Sequence, residues 1–169
     1  INAEHFKPPA NKGQAKESLG LQGFVVGYAG RLLLMKGLDE LIDAVHQLND
    51  KSVQILLVGT GPHEQALRDR AARLGMEDQL TIKNWVPREE IPAVLGAMDV
   101  LCLPSRTSPT FREQFGRVII EAMACEVPVI GSDGGDIPRV INGRGLIFAE
   151  GNATELAAHL RSLHQNEEL

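Results

Sequence analysis

The chain has 169 residues, 43% of them hydrophobic, 23% charged and 4% aromatic, enough for one domain that buries roughly 70% of the surface its unfolded form exposes. This excludes a disordered or fibrous chain and places the core on Val, Ile, Leu and Ala, which suits an α/β sheet. The 17 basic and 22 acidic residues give a formal charge of -5, which argues against a protein that coats nucleic acid and leaves open local basic pockets for small anions.

Residues 1–22 carry Pro8, Pro9, Gly13 and Gly20 among polar residues without a period, which reads as a linker or extended arm ahead of a domain over 23–169. Ile1 at the head of this polar stretch suggests a piece of something longer. After it, short β-branched runs alternate with helical periodicity, the signature of a parallel sheet with crossover helices on both faces. The first strand is 24–29, followed by a helix on which Leu38, Leu41, Ile42, Val45 and Leu48 recur at spacings of three and four. His46, beside that stripe, reads as a surface residue.

The second strand, 53–58, is apolar except for Gln54 and reads as a strand of the kind buried on both faces. It ends at Gly59-Thr60-Gly61-Pro62, with Pro62 placed to open a helix carrying Leu67 and Leu74, and with His63 solvated in its first turn. A third strand at 80–82, a short helix at 89–97, a fourth strand at 100–103 and a long loop over 104–112 follow. Then come a helix over 115–125, a strand at 127–131, a Gly134-Gly135 turn and a last strand at 146–148. The final helix starts at Asn152 or Thr154 and places Leu156, Leu160 and Leu163 on one face.

Six strands alternating with helices predict a Rossmann-like, doubly wound parallel sheet, in which ligands bind beyond the carboxyl ends of the strands. Cys102 and Cys125 lie in apolar stretches and read as reduced core residues. Asn152-Ala153-Thr154 is a sequon, better read as a helix entry. No apolar run approaches the roughly 20 residues of a spanning helix.

Four loops follow strands at the predicted binding edge: 30–37, 59–62, 104–116 and 132–137. They combine glycines with a few charged residues, the chemistry that a phosphate-bearing ligand requires of backbone amides, helix N-termini and cations. In the first, Gly30-Arg31 is followed by Lys36-Gly37 just before a helix. Arg31 can fork onto two phosphate oxygens, and Lys36 adds a point charge. Standard nucleotide motifs are missing. Gly59-Thr60-Gly61 lacks the third glycine of the dinucleotide fingerprint, and no Gly-x4-Gly-Lys-Ser/Thr run occurs, so a kinase or ATPase is not expected. Neither nucleophile elbows nor metal-ligand spacings occur, and no metal site is expected. Glu113 and Glu121 stand eight apart, one read at the start of a helix and the other in its third turn. Among 14 Glu in the chain that spacing arises about once by chance, so its context carries the weight: Glu113-Gln114-Phe115-Gly116, Glu121-Ala122-Met123-Ala124, Val127-Pro128-Val129-Ile130 and Gly134-Gly135.

On these residues the chain resembles the donor-binding C-terminal domain of retaining GT-B glycosyltransferases, glycosyltransferase family 4. The resemblance runs from Phe6-Lys7-Pro8, which looks like the end of an interdomain linker, to the last helix, and is densest over 113–135. The family's paired glutamates map onto Glu113 and Glu121, its Gly-Arg-Leu and Lys-Gly onto Gly30-Arg31-Leu32 and Lys36-Gly37, and its Gly-x-Gly-Pro onto the run from Gly59 and Gly61 to Pro62. The resemblance implies transfer of a hexose from a UDP- or GDP-sugar to a hydroxyl acceptor, a saccharide or a lipid-linked group, as in polysaccharide biosynthesis.

By that resemblance Arg31, Lys36 and Glu113 are catalytic. Gly30, Gly59, Gly61, Val86, Phe115, Gly116 and Glu121 bind the donor, with Glu121 on the ribose hydroxyls and Glu113 on a hydroxyl of the sugar. The base lies near Trp85-Val86-Pro87, where Trp85 reads equally well as plain packing. No cofactor and no metal are implied, since the nucleoside-diphosphate sugar is a co-substrate. The partners implied are that donor, the acceptor and an N-terminal acceptor domain, which is absent from this sequence together with the terminal helix that crosses back to it. The isolated domain is expected to bind without turnover. A cytoplasmic location is implied, with peripheral attachment at the inner membrane face left open for the full-length enzyme.

Two departures stand out. Glu126 occupies a position where the family commonly has glycine, which predicts a local adjustment of the helix C-terminus. Arg112, in the variable stretch 107–112, could neutralise Glu113 or contact the sugar. Two alternatives remain, a Rossmann-type oxidoreductase or epimerase and a non-catalytic interaction module.

Overall fold

Short runs rich in β-branched and aliphatic residues become the sheet, one edge strand alone alternating apolar with polar residues. In the computed structural model, which describes residues 4–166, these are β1 (Phe24–Ala29), β2 (Val53–Val58), β3 (Leu80–Lys83), β4 (Val100–Leu103), β5 (Val129–Ser132) and β6 (Leu146–Phe148). They form one parallel sheet in the order β3-β2-β1-β4-β5-β6. Val25, Val26, Ile55, Leu56, Leu57, Leu101, Cys102 and Ile130 are shut off from solvent, which is why these strands tolerate no polar face. Strand order reverses between β1 and β4, and a crevice opens at such a reversal beyond the strand ends.

The helices are α1 (Lys12–Ser18), α2 (Leu38–Leu48), α3 (Glu64–Arg73), α4 (Ile91–Gly96), α5 (Arg117–Ala124), α6 (Ile137–Ile141) and α7 (Ala153–Gln165). On one face α2 packs against both α3 and α7. On the other α4 lies between α1 and α5, and α6 follows α5. The predicted stripe on α2 is the buried one, with Leu38, Leu41, Ile42 and Val45 inside. Asn152 caps α7 by accepting from the Glu155 N–H at 3.0 Å, so the sequon residue serves as a helix entry. Cys102 and Cys125 are free and buried.

Several expectations need correction. The stretch 1–22 is not all extended, because 12–18 form α1, capped by the Asn11 side chain and tied to the domain by Lys12 and Lys16, which meet Asp99 at 3.0 and 2.6 Å. Helix α5 begins at Arg117, since Gly116 has φ +60° and interrupts any earlier turn. Strand β5 starts at Val129 because the Val127 N–H is already taken, donating to Ala122 O at 3.0 Å. That bond and Glu126 N–H to Met123 O at 3.0 Å close a Schellman motif over the end of α5. The predicted loop adjustment at Glu126 does not occur, and Glu126 takes the left-handed conformation itself, at φ 57°. Helix α6, five residues long, is too short to show a period in sequence.

Candidate functional site

The loops after β1 and β2 are joined by backbone alone. Gly30 N–H donates to Val58 O at 2.9 Å, Leu32 N–H to Thr60 O at 2.8 Å and His63 N–H to Leu32 O at 3.0 Å. Gly59, at φ +140°, lies against the Gly30 carbonyl so closely that a Cβ there has no room. Tyr28, fully buried below, donates its hydroxyl to Arg31 O at 2.8 Å. Burial, with the Glu113 charge adding to it, holds that phenol protonated far above its ordinary range. A cleft of about 370 Å³ opens over these turns, walled by Gly30, Arg31, Gly59, Val86, Leu95 and Trp85. The Arg31 side chain makes no ion pair among the described residues and is exposed. Trp85 is 78% exposed, which removes the packing alternative for it.

A second centre is built from side chains. Lys36 Nζ meets Glu113 Oε2 at 2.6 Å, and Ser105 Oγ donates to the same oxygen at 2.9 Å. The Lys36 ammonium also sits 4.7 Å from the centre of the Phe111 ring, within cation–π range. Ser105 is fixed from behind, its carbonyl accepting from Ser132 Oγ at 2.5 Å. The Glu113 backbone is fixed from the far side, since Asp136 N–H donates to its carbonyl at 2.9 Å and Gly135 leaves no space beside it. Both charged side chains are about 15% exposed, so their attraction is screened less than that of a surface pair.

Glu121 is half-buried on α5, five residues into the helix and eight beyond Glu113 in sequence. Burial raises its carboxyl above the usual range, partly opposed by Arg117 and Arg88. Burial, with the Glu121 charge adding to it, pushes the Cys125 thiol up to about 11. Phe115 is 47% exposed and Gly116 is the N-cap residue of α5. Among the described residues no helix is long and apolar enough to cross a membrane.

The structure thus brings Gly30, Arg31, Gly59 and Val86 to one cleft and pairs Lys36 with Glu113. Gly61 packs under the Leu32 carbonyl and supports the turn from behind. Glu113 is not at a helix start as the sequence suggests; it lies in the loop, so helical rise does not set its distance from Glu121. Arg112 turns to Asp136 at 3.7 Å and leaves Glu113 to Lys36. His63 is not solvated, for its Nε2 meets Asp39 Oδ2 at 2.7 Å. Sequence reasoning missed Ser105, Ser132 and Tyr28. The first two stand at carboxyl ends of strands, a position that could have marked them.

A doubly wound parallel sheet with glycine turns, two cations and a fixed carboxylate at its carboxyl edge is a Rossmann-like domain of the glycosyltransferase GT-B type. The chain belongs to the glycosyl transferases group 1 family, whose profile matches residues 11–169. It is 32% identical over 156 residues to a 2-deoxystreptamine glucosyltransferase of Streptomyces kanamyceticus, covering 88% of this chain and 39% of that protein. It is 33% identical over 151 residues to a GDP-mannose-dependent alpha-(1-6)-phosphatidylinositol monomannoside mannosyltransferase of Mycolicibacterium smegmatis, covering 85% and 40%. The chain therefore spans about two fifths of the length of these relatives. Anabaena Alr3699/HepE in complex with UDP-glucose superposes with a TM-score of 0.88 at 28% identity, over 99% of this chain and 47% of that one. The C-terminal domain of a glycosyl transferase group 1 family protein (LpcC) from Francisella tularensis shares the fold, with a TM-score of 0.86 at 23% identity over 99% and 89%.

Proposed function

We propose that this chain is the donor-binding domain of a retaining, family 4 glycosyltransferase that moves a hexose from a UDP- or GDP-sugar to a hydroxyl acceptor. The carrying observation is the Lys36–Glu113 pair, 2.6 Å apart, beside the cleft that holds Arg31, Trp85 and Val86. A cation and a carboxylate at one spot, next to a largely apolar slot, suit a ligand with a base, a diphosphate and a sugar in a row. The UDP-glucose complex of Alr3699/HepE and the GDP-mannose dependence of the mycobacterial relative support the two donor classes.

In this reading the base enters the cleft against Trp85 and the backbone near Val86, with Gly30 and Gly59 allowing the ligand to approach the main chain and Gly61 supporting the turn. Glu121 accepts from the ribose hydroxyls. Arg31, Lys36 and the amides near Phe115 and Gly116 surround the diphosphate, and Glu113 takes a hydroxyl of the sugar. As the glycosidic bond breaks, its electron pair leaves with the diphosphate, and cations already in place stabilise that charge by a few kcal/mol each. The reading assigns that neutralisation to protein groups, without a metal or other cofactor. The acceptor and an acceptor-binding domain belong to the whole enzyme, placed in the cytoplasm, and the isolated domain binds without turnover.

Isothermal titration of UDP-glucose and GDP-mannose into the wild type and Glu121→Ala tests the site. One donor should bind, and the variant should lose about 1–3 kcal/mol of that affinity. Equal weak heats from both proteins reject the assignment.

A further inference from the structure

Glu40 lies on the buried face of α2 beside Leu38, Leu41 and Ile42, with 6% of its surface exposed. A carboxylate among apolar side chains is unfavourable unless an opposite charge is brought to it. The partner comes from a different loop, 66 residues away in sequence, where the Arg106 guanidinium pairs with Glu40 Oε1. Glu40 Oε2 has no hydrogen-bond partner, so the compensation rests on Arg106 and on the positive end of α2, in whose first turn Glu40 stands.

Arg106 grips the same neighbourhood with its backbone, donating its N–H to Met35 O at 2.8 Å, one residue before Lys36. On the other side of Lys36, Gly37 lies against the Pro104 carbonyl with no room for a Cβ. The loop that carries Lys36 is therefore clamped on both flanks by the strand-end segment 104–106. Only the Glu40 end of the pair is buried, since the Arg106 side chain is 44% exposed, and an ion pair open to solvent on one side adds little to cohesion. A directional pair does fix the register of one loop on another.

We propose that Glu40 and Arg106 are positioning residues of the donor site that act through Lys36, holding its ammonium at the height where it meets Glu113 and the donor diphosphate. The proposal rests on the donor-site reading above. It separates the two members of the pair. Glu113 has supports outside the 104–106 segment, its carbonyl accepting from the Asp136 N–H and Gly135 packing against its backbone, so loosening Arg106 displaces Lys36 while Glu113 stays in place.

The test is a double-mutant cycle on the chain, with UDP and GDP titrated calorimetrically into the wild type, Arg106→Gln, Lys36→Ala and the double variant. Arg106→Gln should weaken the preferred nucleotide roughly tenfold and cause no further loss when Lys36 is already Ala. An equal loss in both backgrounds, or no loss in either, overturns the proposal while leaving the donor site standing. Glu40→Gln, which removes the buried charge and keeps the shape, should reproduce the cycle and replaces Arg106→Gln if that variant does not fold. A wild type that takes up neither nucleotide overturns the donor-site reading, and the proposal with it.

Discussion

The cleft over β1 and β2 and the Lys36–Glu113 centre stand at the same edge of the sheet but are made in different ways. In the cleft the shaping is done by main chain. Gly59 lies on the Gly30 carbonyl because it has no side chain, Gly30 likewise has none to strike the Tyr28 hydroxyl beneath it, and three backbone hydrogen bonds join the two turns. In the charged centre the shaping is done by side chains, with Lys36 after β1 and Ser105 after β4 meeting the Glu113 carboxylate and Ser132 at the end of β5 bracing Ser105 from behind. A site made of backbone is as rigid as the fold and fails only when the fold is disturbed. A site made of side chains can lose its chemistry while the fold survives.

Gly59→Ala should be the most damaging single change to the cleft. It forces a Cβ onto the Gly30 carbonyl at a φ of +140°, and strain of this kind costs about 3 kcal/mol or more when the neighbour is backbone. Denaturant unfolding should show the loss directly, with nucleotide affinity falling alongside it. An Ala variant as stable as the wild type would mean that the two turns separate easily and that the cleft is not backbone-built.

Glu113→Gln tests the other half. The amide keeps the shape and can still accept from Ser105, but it removes the charge opposite Lys36. In the full-length enzyme the change should cost about 2 kcal/mol of transition-state binding, as expected when a charged hydrogen bond is lost, with a much smaller change in the unfolding midpoint. A large stability loss with unchanged turnover would reverse the comparison and make the pair a structural strap.

The two regions also differed in how far they could be read in advance. The strands of the sheet were legible because both-face burial leaves runs such as Val53–Val58 with almost no polar residue. The cleft was legible because glycines at strand ends carry their own conformational signal. The charged centre was legible as a set of residue types, but its pairing was not. Lys36 and Glu113 lie 77 residues apart, and the neighbour that sequence offers Glu113 is Arg112, which the structure turns to Asp136. The helix start was misplaced because a left-handed Gly116 shortens α5, which no periodicity reveals. Helix α1 was hidden because it buries no residue of its own and so has no apolar stripe.

The smallest expected effect comes from the far end of α5 and serves as a control on both regions. Glu126 holds φ 57° at the C′ position of a Schellman motif, where a side chain costs about 1 kcal/mol that glycine does not incur. Glu126→Gly should therefore stabilise the chain by about that amount, visible as a higher unfolding midpoint. Because Gly116 and Glu121 ride on the same helix, the variant also asks whether stiffening α5 reaches the donor site. If the cleft and the charged centre are set locally, by their own turns and side chains, nucleotide affinity should stay at the wild-type value while stability rises. A gain in affinity would show instead that α5 moves as a lever between them, and the division between a backbone-built and a side-chain-built region would have to give way to one coupled unit.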